Sequence, residues 1–95
     1  MRSVIHFTNR APSQLGDRLN AAGYKVFEAL ELSEVMYLCE HENIDVLVIG
    51  PEIEAADFIE AQLRHLTIKL KPGFEAKDVL WELSNFFPDT ESRIQ

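Results

Sequence analysis

The feature that most narrows what this chain can fold into is the run Val46-Leu47-Val48-Ile49, closed at once by Gly50-Pro51. A strand with one wet face alternates apolar and polar residues, and this run does not alternate. Four consecutive branched apolar residues between turn signals fit a strand covered on both faces of a parallel sheet. Parallel strands cannot be joined by tight hairpins, so the chain on either side of the run has to supply crossover helices.

It has the material to do so. Residues 3–8 crowd Val4, Ile5 and Phe7 into a second buried strand, which breaks into the turn-prone Thr8-Asn9-Arg10-Ala11-Pro12. Pro12 suits a first helical turn, Leu15, Leu19 and Ala22 share one helical face, and Gly23 suits the stop. Residues 24–30 mix aromatic and β-branched residues with Lys25 and Glu28, which fits an edge strand. Ser33 is the expected N-cap of a short second helix that carries Val35, Leu38 and Cys39 inward and ends near His41.

Residues 44–49 then form the central strand, and residues 52–64 a third helix, with acids early, Arg64 late, and Ile59, Leu63 and Leu66 toward the core. Leu66, Ile68 and Leu70 alternate with Thr67, Lys69 and Lys71, which predicts an edge strand with one polar face, ended by Pro72-Gly73. Residues 75–87 complete the pattern as a helix with Val79, Leu80, Leu83, Phe86 and Phe87 on one side. The expectation is one α/β domain over residues 1–88, a three-layer αβα sandwich on a four-stranded parallel sheet in order 2-1-3-4, with residues 89–95 a polar tail.

Charge and cysteine usage narrow the function. Sixteen acidic against nine basic residues give a net charge of −7, which repels nucleic-acid backbones and anionic lipid surfaces alike. The single cysteine forms no internal disulfide, and no apolar run approaches the length of a membrane span, so the expected setting is the reducing cytoplasm. A domain this small buries only about 60–65% of its unfolded surface, which makes self-association or docking on a partner the natural use of any exposed apolar stripe.

In this order, the passage "L…AAGYKV", the strand "NIDVLVIG" and the stretch "IKLKPGFEAKDVLWEL" resemble the receiver domain of bacterial two-component response regulators over most of the chain. The resemblance implies a flavodoxin-like fold. It also implies a site: an acidic pair after the first strand for Mg²⁺, a phosphoryl-accepting Asp after the third, and a Lys after the last. The matching positions here are Thr8, Asn9, Gly50 and Lys71. Neutral Thr and Asn are poor ligands for an oxygen-bound Mg²⁺, and glycine offers nothing to phosphorylate. Lys71 follows Gly50 by only 21 positions, so the chain is also about one strand-helix unit short.

Three readings of the surface follow. Ligands of such sheets sit at the carboxyl ends of the strands, which singles out Thr8, Asn9, Gly50, Pro51, Glu52 and Lys71. An anion or nucleotide sensor would use Thr8, Asn9, Arg10 and Lys71 there. A protein-interaction module, working as a homodimer or by docking on a partner, would instead use Trp81, since about 100° per residue turns it away from the apolar face of its helix, with Lys69, Lys77 and Asn85 nearby. His6, His41 and His65 lack metal-ligand spacing and no nucleophile motif occurs, so neither a metal, a cofactor nor catalysis is expected.

Overall fold

The computed structural model describes residues 2–9 and 14–88; Arg10, Pro12 and the tail 89–95 lie outside the described residues. Val46–Ile49 forms β3, and all four of its side chains are fully buried. Around it the chain runs β1 (Ser3–Phe7), α1 (Gln14–Ala21), β2 (Lys25–Ala29), α2 (Leu32–His41), β3, α3 (Ala56–Leu63), β4 (Thr67–Lys69) and α4 (Ala76–Phe86). Every pairing is parallel and the strand order is β2-β1-β3-β4, so the flavodoxin-like arrangement read from the sequence is the one observed.

Strand alternation divides the core into two halves. Val4, Val46, Val48, Ile68 and Leu70 face one way and meet Leu15 and Leu19 of α1 with Val79 and Leu83 of α4. Ile5, Phe7, Ala29, Leu47 and Ile49 face the other and meet Val35 of α2 and Ile59 of α3. The result is three layers, with β1 and β3 central and β2 and β4 as the two edges.

The helix ends show how local chemistry sets the element bounds. Beyond α1, Gly23 takes φ 100°, its N–H donates to the Asn20 carbonyl at 3.0 Å, and the Tyr24 N–H donates to the Leu19 carbonyl at 3.1 Å. This paired closure needs a left-handed residue, which glycine supplies without a Cβ penalty. The N-cap of α2 is Glu31, not Ser33. The Glu34 carboxylate reaches back to accept the N–H groups of Leu30 at 3.0 Å and Glu31 at 3.1 Å, so the acid three residues after Glu31 fixes the start and leaves Ser33 two residues too late, inside the first turn.

Three further expectations are corrected. The third helix starts at Ala56 rather than 52, because residues 51–54 form a turn, with the Ile53 N–H donating to the Gly50 carbonyl. Leu66 is 43% exposed: it precedes β4 at the open edge of the sheet, and only its carbonyl is engaged, by the Leu47 N–H. Phe86 is 41% exposed, because Phe87 leaves the helix and takes the buried place, with the Arg2 guanidinium 4.6 Å above its ring. Leu47 and Leu66 thus read alike in sequence and differ in burial. Leu47→Ala is expected to cost about 2–5 kcal/mol of stability and Leu66→Ala less than about 1 kcal/mol, as measured by urea unfolding.

Candidate functional site

In an open α/β sheet the crevice forms where the winding reverses, here between the carboxyl ends of β1 and β3. Both strands run one residue on in register past their ends. The Thr8 N–H donates to the Ala29 carbonyl at 3.1 Å and the Gly50 N–H to the Phe7 carbonyl at 2.8 Å. This holds Thr8, almost fully buried, beside Gly50 at the mouth of the crevice.

The mouth is filled by Glu52. Its carboxylate oxygen Oε2 accepts the Thr8 hydroxyl and the Asn9 backbone N–H, the latter at 2.9 Å. A Cβ placed on Gly50 would lie 2.6 and 2.8 Å from the two Glu52 oxygens. The Glu52 side chain folds back into the volume that a larger residue 50 would claim, so any such residue would require the carboxylate to shift. One carboxylate ties the β1–α1 loop to the β3–α3 loop, and this is the reason residues 51–54 turn instead of joining α3.

The chemical character of the mouth follows. The Thr8 hydroxyl is committed as a donor, no side chain exists at residue 50, and the resident charge is negative. A ligand entering the space over Gly50 would have to displace the Glu52 carboxylate. Thr8, Asn9, Gly50 and Glu52 are brought together as the sequence suggested, whereas the position of Arg10 lies outside the described residues.

Lys71 takes part in a different feature. The turn after β4, with Gly73 at φ 85° and the Phe74 N–H donating to the Lys71 carbonyl at 3.1 Å, turns the chain into α4. Lys71, Pro72 and Phe74 then line a groove of about 430 Å³ with Asp78, Trp81 and Glu82. Trp81 is 67% exposed at its rim, as its helical position predicts. Lys77 lies instead in a separate hollow with Gln14 and Arg18, where it pairs with Glu75 at 3.4 Å, and Asn85 is exposed farther along α4.

Lys69 also borders the Trp81 groove, but its side chain is held on the α3 side. Its ammonium lies 2.7 Å from Asp57 and 2.9 Å from Glu60, both on α3. Hydrogen bonding to Asp57 and then Glu60 pushes its pKa up to about 12. A lysine raised in the fold keeps its contribution at every pH below the ordinary 10.5 and loses it only as pH climbs through about 12. The clasp between β4 and α3 is thus indifferent to physiological pH, and Lys69 is not a free cation for a partner.

Neither spacing nor periodicity points to the role of His6. It is 2% exposed on β1, and its Nδ1 lies 3.3 Å from a Glu28 oxygen across the β1–β2 pair. Gly16 of α1 passes so close above that an added Cβ would strike this carboxylate. His41 stacks on Tyr37 with its Nδ1 2.9 Å from the Tyr37 carbonyl, and the His65 Nδ1 lies 2.9 Å from the Leu63 carbonyl. Among the described residues no three His, Cys, Asp or Glu side chains gather to hold a metal ion. Burial raises the pKa of the Cys39 thiol, which disfavours the reactive thiolate.

Fold and site together define a flavodoxin-like, doubly wound α/β domain whose crevice is occupied by its own carboxylate. Compared with protein-family models, with curated proteins and with solved structures, the chain gives no match. Among the described residues no helix is long and apolar enough to cross a membrane. If Glu52 closes the crevice as described, Glu52→Ala is expected to speed deuterium exchange of the Asn9 amide by roughly tenfold, the loss of a charge-assisted hydrogen bond worth about 1.5 kcal/mol, while the amides of β3 keep their protection.

Proposed function

We propose that this chain is a receiver-like module that has lost phosphoryl transfer and acts in regulation by protein contact, either with a second copy or with a signalling partner. The observation that carries the reading is the Glu52 carboxylate seated over Gly50 and bonded to Thr8 and Asn9. The place where a receiver presents its phosphorylated Asp is taken by a carboxylate of the chain itself. The same side chain occupies the space that the anion or nucleotide sensor suggested by Thr8, Asn9, Arg10 and Lys71 would need.

The contact surface of this reading is β4 with α4. Leu66 and Leu70 direct their carbonyl and N–H to β3, so the alternation of a parallel pair turns the backbone groups of Thr67 and Lys69 outward on the open edge. Beside that edge lies the groove with Trp81 at its rim. Exposed aromatic anchors next to a concave surface are where binding energy concentrates.

Two measurements test the reading. Incubation with Mg²⁺ and a small acyl phosphate is expected to leave the intact mass unchanged; a phosphorylated species would refute it. In affinity capture from the source cells, Trp81→Ala is expected to lose a partner held by the wild type, by about 2 kcal/mol or more, with its unfolding midpoint unchanged. Retention of every captured protein by the variant would remove this surface from the proposal.

A further inference from the structure

The opposite edge of the sheet carries a second concave surface of different chemistry. Lys25 donates its N–H to the Arg2 carbonyl and Ala29 accepts the Thr8 N–H, so Val26 and Glu28 turn their backbone N–H and C=O groups away from the sheet. Directly beside this open edge, α2 and β2 enclose a hollow of about 320 Å³ between Phe27, Ser33, Glu34, Tyr37 and Leu38. Tyr37 is 60% exposed, and the rim continues into Leu30, Leu32 and Met36, each more than a third exposed.

The charge of this surface selects its occupant. Glu31 and Glu34 stand at the start of α2 beside the hollow, with Glu28 turned to His6 on the other face of β2 and the Lys25 ammonium over the Phe27 ring, on a chain whose net charge is −7. Glu34 uses Oε1 to cap α2, and its Oε2 is engaged by no described residue. The aromatic floor already attracts a cation, since the Lys25 ammonium lies 5.2 Å from the centre of the Phe27 ring. A second copy would bring the same acids onto themselves, and a nucleic acid or anionic bilayer would be repelled.

We propose that the β2 edge takes an extended, basic segment of a partner protein as an added strand, with an arginine or lysine side chain seated between Phe27, Tyr37 and Glu34. Backbone hydrogen bonds to Val26 and Glu28 supply the register, and the aromatic and acidic lining supplies the selectivity. Arginine suits the place better than lysine, because its flat guanidinium stacks on Tyr37 while its edge meets the Glu34 carboxylate. This surface is separate from the α4 groove and stands whether or not that groove binds anything.

The test uses the whole chain and a fluorescent peptide of about seven residues, a usual strand length, alternating arginine with valine, beside the same peptide with glutamate in place of arginine. The arginine peptide is expected to bind and the glutamate peptide not, with the amides of Val26 and Glu28 gaining protection from deuterium exchange. Tyr37→Ala and Glu34→Gln, the second of which keeps an oxygen for the α2 cap, are each expected to weaken binding about three- to tenfold, and Trp81→Ala to leave it unchanged. Equal binding of both peptides, unprotected Val26 and Glu28 amides, or wild-type affinity in both variants would overturn the proposal. So would self-association of the chain that is lost in Tyr37→Ala, because the surface would then belong to a second copy.

Discussion

Everything in this molecule depends on β3 being covered on both faces. Burying each of its four side chains contributes roughly 1.5–3 kcal/mol, against a net stability of about 5–15 kcal/mol for an ordinary domain. No single layer of helices can cover both faces of a strand. The chain therefore has to send α1 and α4 to one side and α2 and α3 to the other, and the reversal of winding that this requires opens the crevice between β1 and β3. The site is a by-product of how the core is closed.

A four-stranded sheet has two edges for only two interior strands, and the two edges are managed differently. At β4 the polar side chains face α3, where Asp57 and Glu60 hold Lys69 and so pin the helix over the strand. At β2 the fastening lies on the other side: Glu28 turns to His6 beneath Gly16, which leaves the α2 side of the strand to Phe27 and its hollow. Each edge keeps its outward backbone groups, and each has an aromatic residue on the helix beside it, Trp81 or Tyr37. The asymmetry is one of charge, with Glu34 and no lysine or arginine lining the β2 hollow, and Lys71 mixed with Asp78 and Glu82 in the β4 groove.

Much of this was legible in the sequence because periodicity and turn chemistry report on local structure. The unbroken run 46–49, the stop at Gly23 and the alternation of Ile68 with Lys69 sufficed for the strand order and the layers. What periodicity cannot report is where a side chain goes once its neighbours in space are in place. Ser33 looks like a better cap than Glu31 until Glu34 is seen reaching back. Leu66 fits an alternating strand, yet alternation says nothing of whether a helix extends far enough to cover it. The acids of residues 52–60 match a helix dipole, and one of them left the helix to serve a loop 43 positions away in sequence.

That departure by Glu52 is the most informative feature of the crevice, because three residues have to agree for it to occur. Thr8 needs a hydroxyl, Asn9 an outward N–H, and residue 50 the absence of a side chain. A larger residue 50 would push the carboxylate out, and an aspartate there would set two negative charges within a few ångströms of each other, a repulsion that grows as water is excluded. Glycine at 50 and glutamate at 52 are thus parts of one arrangement. One carboxylate thereby links Thr8 and Asn9 after β1 to the turn after β3, and the carboxyl ends of the two central strands are joined by a side chain of the chain itself.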